Sequence, residues 1–397
     1  MPKNGDKLSA LGFGCMRLPQ KGQAIDEERA INQIRYAIDN GVNYLDTAAP
    51  YHGGESEVVL GKALQDGYRE RVKLATKLTH FMLRTPDDMA KMLDGQLRKL
   101  QTDHIDYYLL HSLEADSWKK LQDFDVLNFL NKAMADGKIV NTGFSFHGGR
   151  DAFKEIVDAN DWTMCQIQYN FLDENLQAGT EGLQYAALQN LAVMVMEPLR
   201  GGALAGKLPK KVAQIYQGSG FQRSAAEWGL RWVWNHPEVT VVLSGMNAES
   251  QVAENLKTAE TAMPTAMSSE ELATMSQVES AYKKLMKVPC TGCAYCMPCP
   301  QGVNIPNNFN MYNRMSMFGG KIMARGMYAA MLMGLMTGHP ADASLCINCG
   351  ACAKKCPQHI AIPAELKKVK KSLGGWQTKL LMPVIKKRMP RRPTKHE

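Results

Sequence analysis

The chain has 397 residues, 45% of them hydrophobic and 22% charged, and a formal charge of +8. That length holds one large domain and a small one, and the composition is that of an ordinary globular protein rather than a disordered chain. The start, MPKNGDKLSALGFG, does not read as a leader peptide and no apolar run reaches bilayer length, so a cytoplasmic location is expected.

Up to about residue 260, short β-branched or apolar runs alternate with amphipathic ones. The predicted strands are 9–14, 42–48, 72–77, 105–111, 139–146, 165–170, 191–198 and 239–245. Helical stretches such as EERAINQIRYAIDNG and PDDMAKMLDGQLRKLQ lie between them, the first stopped at Asn40-Gly41. Strand followed by helix, repeated, implies parallel strands. Eight such units in roughly 250 residues fit a TIM (β/α)8 barrel. The alternative, an open doubly wound sheet, wants a Gly-rich dinucleotide turn that GFGCMR (12–17) lacks.

A barrel carries its chemistry at the C-terminal ends of its strands. Those ends offer Asp46, Lys77, His111, Ser145 and Gln166, with Tyr51 just beyond Asp46. Singly, each has a bland reading as a core or solvated residue; their convergence at one rim suits carbonyl reduction. Tyr51 would supply a proton, Lys77 would lower its pKa by favouring the phenolate, Asp46 would fix Lys77, and His111 would orient the carbonyl oxygen. Cys15 is expected to be a small buried hydrophobe.

YLDTAAPYHGGESEVVLGKAL, LATKL and YYLLHSL resemble signature segments of the aldo/keto reductases. The resemblance covers residues 8–260 and implies a catalytic tetrad at Asp46, Tyr51, Lys77 and His111. It implies a nicotinamide cofactor, NAD(H) or NADP(H). Ser145 and Gln166 would meet the nicotinamide, and EPLRGG (197–202) would pass over the pyrophosphate with Pro198, Leu199, Arg200 and Gly201. SGMNAESQVAEN (244–255) would bind adenosine with Gly245, Gln251, Glu254 and Asn255. Two departures stand out. Met196 occupies the place of a tyrosine that stacks under nicotinamide in many members. Gly245 and Gln251 replace the lysine and arginine that grip a 2′-phosphate in NADPH-preferring members, which favours NAD. Arg200 is expected to touch a cofactor phosphate or a substrate anion.

After residue 260 the pattern changes. Residues 1–265 are taken as the barrel, 266–287 as a linker and helix, 288–375 as a small, mainly α-helical ferredoxin-like domain, and 376–397 as a basic tail. CTGCAYCMPCP carries Cys290, Cys293, Cys296 and Cys299; CINCGACAKKCP carries Cys346, Cys349, Cys352 and Cys356. The second run has the C-x2-C-x2-C-x3-C-P spacing of bacterial ferredoxins with two [4Fe-4S] clusters. In that pattern the fourth cysteine of each run ligates the other cluster, so the expected sets are Cys290, Cys293, Cys296 with Cys356, and Cys346, Cys349, Cys352 with Cys299. Zinc is the alternative, but its ligands come in two separated pairs. The apolar run from Met327 is expected to form a buried, Met-rich helix.

These features imply an oxidoreductase acting on a small-molecule carbonyl or alcohol, with the clusters relaying single electrons. Structural clusters, or a redox-sensing module with a nicotinamide-binding barrel, are the rival readings. Flavin is compatible with RGG (200–202), because TIM barrels also bind flavin phosphate through the loops of strands seven and eight. The basic blocks at 367–371 and 386–395 read as a solvated tail or as a docking surface for an acidic electron-transfer protein or an anionic membrane. No nucleic-acid motif accompanies them.

Overall fold

The computed structural model describes residues 1–290, 292, 295–335, 338–356, 358–378, 380, 382 and 383. Cys293 and the basic block 386–395 lie outside the described residues. Two compact units emerge: 1–206 with 221–275, and 207–220 with 276–397.

The first unit is a closed barrel of eight parallel strands. They are β1 (Leu11–Gly14), β2 (Tyr44–Asp46), β3 (Lys73–Leu78), β4 (Ile105–Leu113), β5 (Ile139–Phe146), β6 (Met164–Gln168), β7 (Ala192–Met196) and β8 (Val239–Ser244), each hydrogen-bonded to the next, with β1 closing on β8. Helices follow the strands as expected. The helix Glu27–Asp39 ends on Asn40, with Gly41 at φ 95°.

The barrel interior is filled by side chains, among them Tyr44, Tyr107, Leu109, Met164, Met194 and Val241. Gly12 leaves room for this packing, since a Cβ there would stand 2.8 Å from both Leu243 and Val241. The N-terminal segment joins in at the opposite end from the strand C-termini. Met1 and Leu8 pack against the interior cluster, and Tyr107 donates to Asp6 Oδ2 at 2.6 Å.

Rim geometry comes from two backbone irregularities. The β4–β5 register shifts between Leu110 and Leu113, a bulge that re-aims His111, and Ser112 there adopts φ 56°. After β2, His52, Gly53 and Gly54 all have positive φ (51°, 68° and 103°), so the chain reverses sharply between Tyr51 and the helix Glu55–Ala63.

The second unit has its own apolar core, including Val288, Val303, Phe309, Tyr328, Leu366 and Val369. Buried asparagines tie down the segments entering both cysteine runs. Asn313 accepts from Lys287 N (2.9 Å) and Val288 N (3.0 Å) and donates to Val288 O (2.7 Å). Asn308 donates to Ala341 O at 3.0 Å and accepts from Tyr328, whose hydroxyl accepts from Ala343 N at 2.9 Å. The Met-rich segment differs from expectation. Only its first part is helical: Met327–Met331 close the helix Lys321–Met331, which buries a narrow face, Tyr328 and Ala329, and leaves Met327 and Met331 37% and 49% exposed. Met323, Met327 and Met331, four residues apart, share a helix face outside that stripe.

The helix Glu55–Ala63, which carries Glu57 beneath the rim, sits tightly on the end of the helix Asp87–Leu100. A Cβ on Gly61 would lie 2.4 Å from Lys99 O and 2.8 Å from Leu100 C, both backbone. Gly61→Ala should therefore lower stability by about 1–3 kcal/mol, as overpacking does. Gly95→Ala, in an open position on the neighbouring helix, should raise it by about 0.5–1 kcal/mol. Denaturant midpoints of both variants check the pair; an undiminished midpoint for Gly61→Ala would contradict this packing.

Candidate active site

The strand ends deliver a buried ion pair. Lys77 Nζ donates to both Asp46 carboxylate oxygens and to Thr47 O, each at 2.7 Å. Burial works against both charges, but Asp46 and Tyr51 together hold the Lys77 pKa above its ordinary value, so the ammonium persists. Lys77 Nζ lies 5.2 Å from the centre of the Tyr51 ring, and the Tyr51 and His111 rings meet edge-on at 6.0 Å. Burial raises the Tyr51 pKa; Lys77 pulls it down, but burial outweighs that pull. The lowering expected from Lys77 is thus present without setting the net direction. His111 is held neutral chiefly by burial, with Lys77 adding to the effect, and its Nδ1 is 3.0 Å from Thr79 Oγ1.

Beneath this group lies a polar network that the sequence pattern did not reveal. Fully buried Glu57 accepts from Thr76 Oγ1 and Gln96 Nε2, each at 2.8 Å, and pairs with Lys99 at 3.6 Å. Gln96 also donates to Lys77 O at 3.0 Å and accepts from Tyr108 at 2.8 Å. The backbone that carries Lys77 is therefore held from below. Glu57 and Gln96 read as ordinary helix-surface residues in sequence.

A cavity of about 460 Å³ opens over the tetrad positions and runs past the ends of β5 to β8. Asp46, Tyr51, Lys77 and His111 line it, as do Ser145, Gln166, Met196, Pro198, Leu199, Gly201, Gly245, Gln251, Glu254 and Asn255. Ser145 Oγ accepts from Ser112 N at 2.7 Å, which pins the β4 bulge. Gln166 Nε2 donates to Met196 Sδ at 3.6 Å, while its buried Oε1 has no hydrogen-bond partner among the described residues. That orphaned acceptor fits an amide-bearing group in the cavity. Asn255 donates to Ser244 Oγ at 3.0 Å, Gln251 Oε1 accepts from Asn247 N at 2.9 Å, and Glu254 accepts from Ser224.

Arg200 departs from expectation. It is 6% exposed, does not line the cavity, and donates from Nε to Asp173 Oδ2 at 2.9 Å. Asp173 also accepts from Gln168 (3.0 Å) and Asn170 (2.9 Å), and Asn170 donates to Glu197 O. These bonds anchor the 197–202 loop, in which Glu197 and Arg200 carry positive φ. Beside Lys77, the arginine that lines the cavity is Arg17 instead. Its stem packs over Gly245, where a Cβ would meet Arg17 Cβ, Cγ and Cδ at 3.1–3.2 Å, and its Nη2 would stand 2.8 Å from a Cβ on Gly201. Two glycines thus make way for one arginine. Its only signal in the sequence is a basic residue shortly after GFG.

Cys15 and Cys165 are buried, and burial pushes both thiols well up. In the second unit, Cys290, Cys296, Cys299, Cys346, Cys352 and Cys356 pack against its apolar core, and Cys349 is exposed. Burial raises the Cys352 thiol, backbone hydrogen bonds pull it down, and Cys346 and Cys299 add to the rise.

Residues 10–278 match the aldo/keto reductase family, and residues 289–361 match the 4Fe-4S dicluster domain. Over 302 residues the chain is 26% identical to the uncharacterized oxidoreductase YrpG of Bacillus subtilis, covering 65% of this chain and 89% of that one. It is 24% identical over 299 residues to the NADH-specific methylglyoxal reductase of Escherichia coli, covering 63% and 89%. Among solved structures, the holo form of aldo-keto reductase AKR11C1 from Bacillus halodurans is similar at a TM-score of 0.59 and 26% identity, covering 70% of this chain and 94% of that one. The fold is also shared with the aldo/keto reductase of Klebsiella pneumoniae in complex with NADP and acetate, at a TM-score of 0.56, 24% identity, and 68% and 91% coverage. The chain is an oxidoreductase that belongs to the aldo/keto reductase family, with a 4Fe-4S dicluster domain following its barrel.

Proposed function

We propose that the barrel reduces a small carbonyl compound, or oxidises the corresponding alcohol, at Tyr51, with NAD(H) preferred over NADP(H). The observation that carries this reading is the cavity on which Asp46, Tyr51, Lys77 and His111 meet the 196–201 and 245–255 segments. Nicotinamide would supply or accept the hydride at the carbonyl carbon. Tyr51 gives its proton to the carbonyl oxygen, and the fixed ammonium of Lys77 favours the phenolate that remains. A neutral His111 that accepts from Thr79 at Nδ1 carries its own proton on Nε2 and can donate it as a hydrogen bond to the carbonyl oxygen. Gln166 Oε1 would accept from the nicotinamide amide.

The cofactor preference follows from charge. A 2′-phosphate wants charge-assisted donors, and Gly245 and Gln251 supply none, while Glu254 adds a like charge. The likeness to a relative described as NADH-specific points the same way. Arg17, between Gly245 and Gly201, would grip the pyrophosphate.

The cysteine runs would hold two [4Fe-4S] clusters as Cys290, Cys293, Cys296, Cys356 and Cys346, Cys349, Cys352, Cys299. Cysteines of both runs pack against one apolar core, an arrangement in which the runs can share their clusters, and this supports the crossed sets. Such centres pass single electrons. The apolar core of the second unit favours electron transfer over a purely structural role, because a unit with its own core depends less on metal to fold.

Tyr51→Phe should lower carbonyl reduction by about 10²–10⁴-fold while iron and acid-labile sulfide stay constant; undiminished turnover would remove the tetrad assignment. Arg17→Met should weaken NADH and NADPH binding equally, by about tenfold or ~1.4 kcal/mol, in fluorescence titrations. A loss confined to NADPH would place Arg17 on the 2′-phosphate. With a flavin to gather two single electrons and a proton into each hydride, protein reduced anaerobically with limiting dithionite should form NADH from NAD as its visible absorbance recovers. Protein that stays reduced with NAD bound would exclude a direct link between the cysteine unit and nicotinamide.

A further inference from the structure

Charge is divided unevenly along this chain. From Ser276 to the end it carries 19 Lys and Arg against four Asp and Glu, whereas the residues before carry 28 against 35. The described acids of the later part offset little of this. Glu279 is paired with Lys283 and Glu365 with Lys368, and Asp342 is buried, accepting from Ser344 N at 2.8 Å. The positive field is therefore uncompensated among the described residues.

Within it, one edge brings the redox residues to the surface. Cys349 is exposed, unlike the other described cysteines of the two runs. Beside it, Ile347 is 63% exposed and Asn348 turns the chain at φ 63°. Lys354 and Lys355, between Cys352 and Cys356, are exposed, and their ammonium groups have no ion-pair or hydrogen-bond partner among the described residues. A small apolar centre with a cationic rim is the anatomy of a weak, transient interface. Electrostatic steering suits a partner that must arrive and leave quickly.

We propose that the 347–355 edge is the docking site for an acidic one-electron carrier protein. The inference rests on the dicluster reading of the cysteine runs and is independent of the barrel's activity. One docking event moves one electron from the reduced carrier, which is oxidised, to the centre held by the thiolates, which is reduced; no proton moves. Ile347 alone is too little apolar surface to insert into a bilayer, which favours a protein partner at this edge.

The test uses the holoprotein, anaerobically, with dithionite-reduced flavodoxin, an acidic protein, as the probe. Bleaching of the visible iron–sulfur absorbance is followed by stopped flow, and binding of oxidised flavodoxin by calorimetry. The second-order rate should fall about tenfold or more between low and high salt. Lys354→Glu with Lys355→Glu should lower both rate and affinity about tenfold at low salt, with iron content and the electron paramagnetic resonance spectrum of dithionite-reduced protein unchanged. Lys367→Glu with Lys370→Glu, the same charge change on the helix Ile362–Leu373, should do markedly less. An equal loss from both double variants, or a rate indifferent to salt and to Lys354 and Lys355, would overturn the proposal. Binding to phosphatidylserine vesicles that is lost in the first variant while flavodoxin kinetics are unchanged would also overturn it and assign the edge to a membrane. Protein purified anaerobically without iron and sulfide would instead remove the dicluster reading beneath it.

Discussion

The bond from Lys77 to Asp46 organises the first unit's site. Two opposite charges taken out of water are costly unless geometry and hydrogen bonds repay them. Here both Asp46 oxygens and Thr47 O meet one ammonium at 2.7 Å. The pair then fixes a positive charge beside Tyr51. Removing either partner would leave the other buried and uncompensated, so this part of the rim has one stable arrangement. The Glu57–Gln96–Tyr108 network reinforces it from below by holding the Lys77 backbone.

Barrel and bulge divide the remaining work. Parallel closure brings eight strand ends to one rim, and the N-terminal segment packs at the other end of the interior. The register shift in β4 turns His111 toward the cavity, and Ser145 on β5 captures the backbone N–H that the shift frees. On the far side of the cavity, Asp173 gathers Gln168, Asn170 and Arg200, so the 197–202 loop is braced by charge rather than by packing alone.

Much of this architecture is legible in the sequence, because it depends on local periodicity and on residues at strand ends. All eight strands fall within two residues of their predicted limits. What sequence could not provide was side-chain pairing across distance. Arg200 and Arg17 are both basic residues near glycines, and only three-dimensional contact shows one committed to Asp173 and the other facing the cavity. The same holds for the exposed methionines of Lys321–Met331, since hydropathy reports apolarity but not the width of the face a neighbour covers. The unexpected grouping of 207–220 with the later unit likewise depends on contacts that no local pattern encodes.

The central claim is that a half-buried, protonated Tyr51 is the acid for carbonyl reduction. It is tested most directly by the pH dependence of kcat/KM for carbonyl reduction under anaerobic conditions. Because burial raises the Tyr51 pKa from its ordinary value near 10.0, the phenol is protonated throughout neutral pH. The account predicts a rate that is flat through neutrality and falls only when alkaline pH removes that proton, with the alkaline limb absent from the residual activity of Tyr51→Phe. A limb that persists unchanged in Tyr51→Phe, or a rate that rises as Tyr51 ionises, would contradict it.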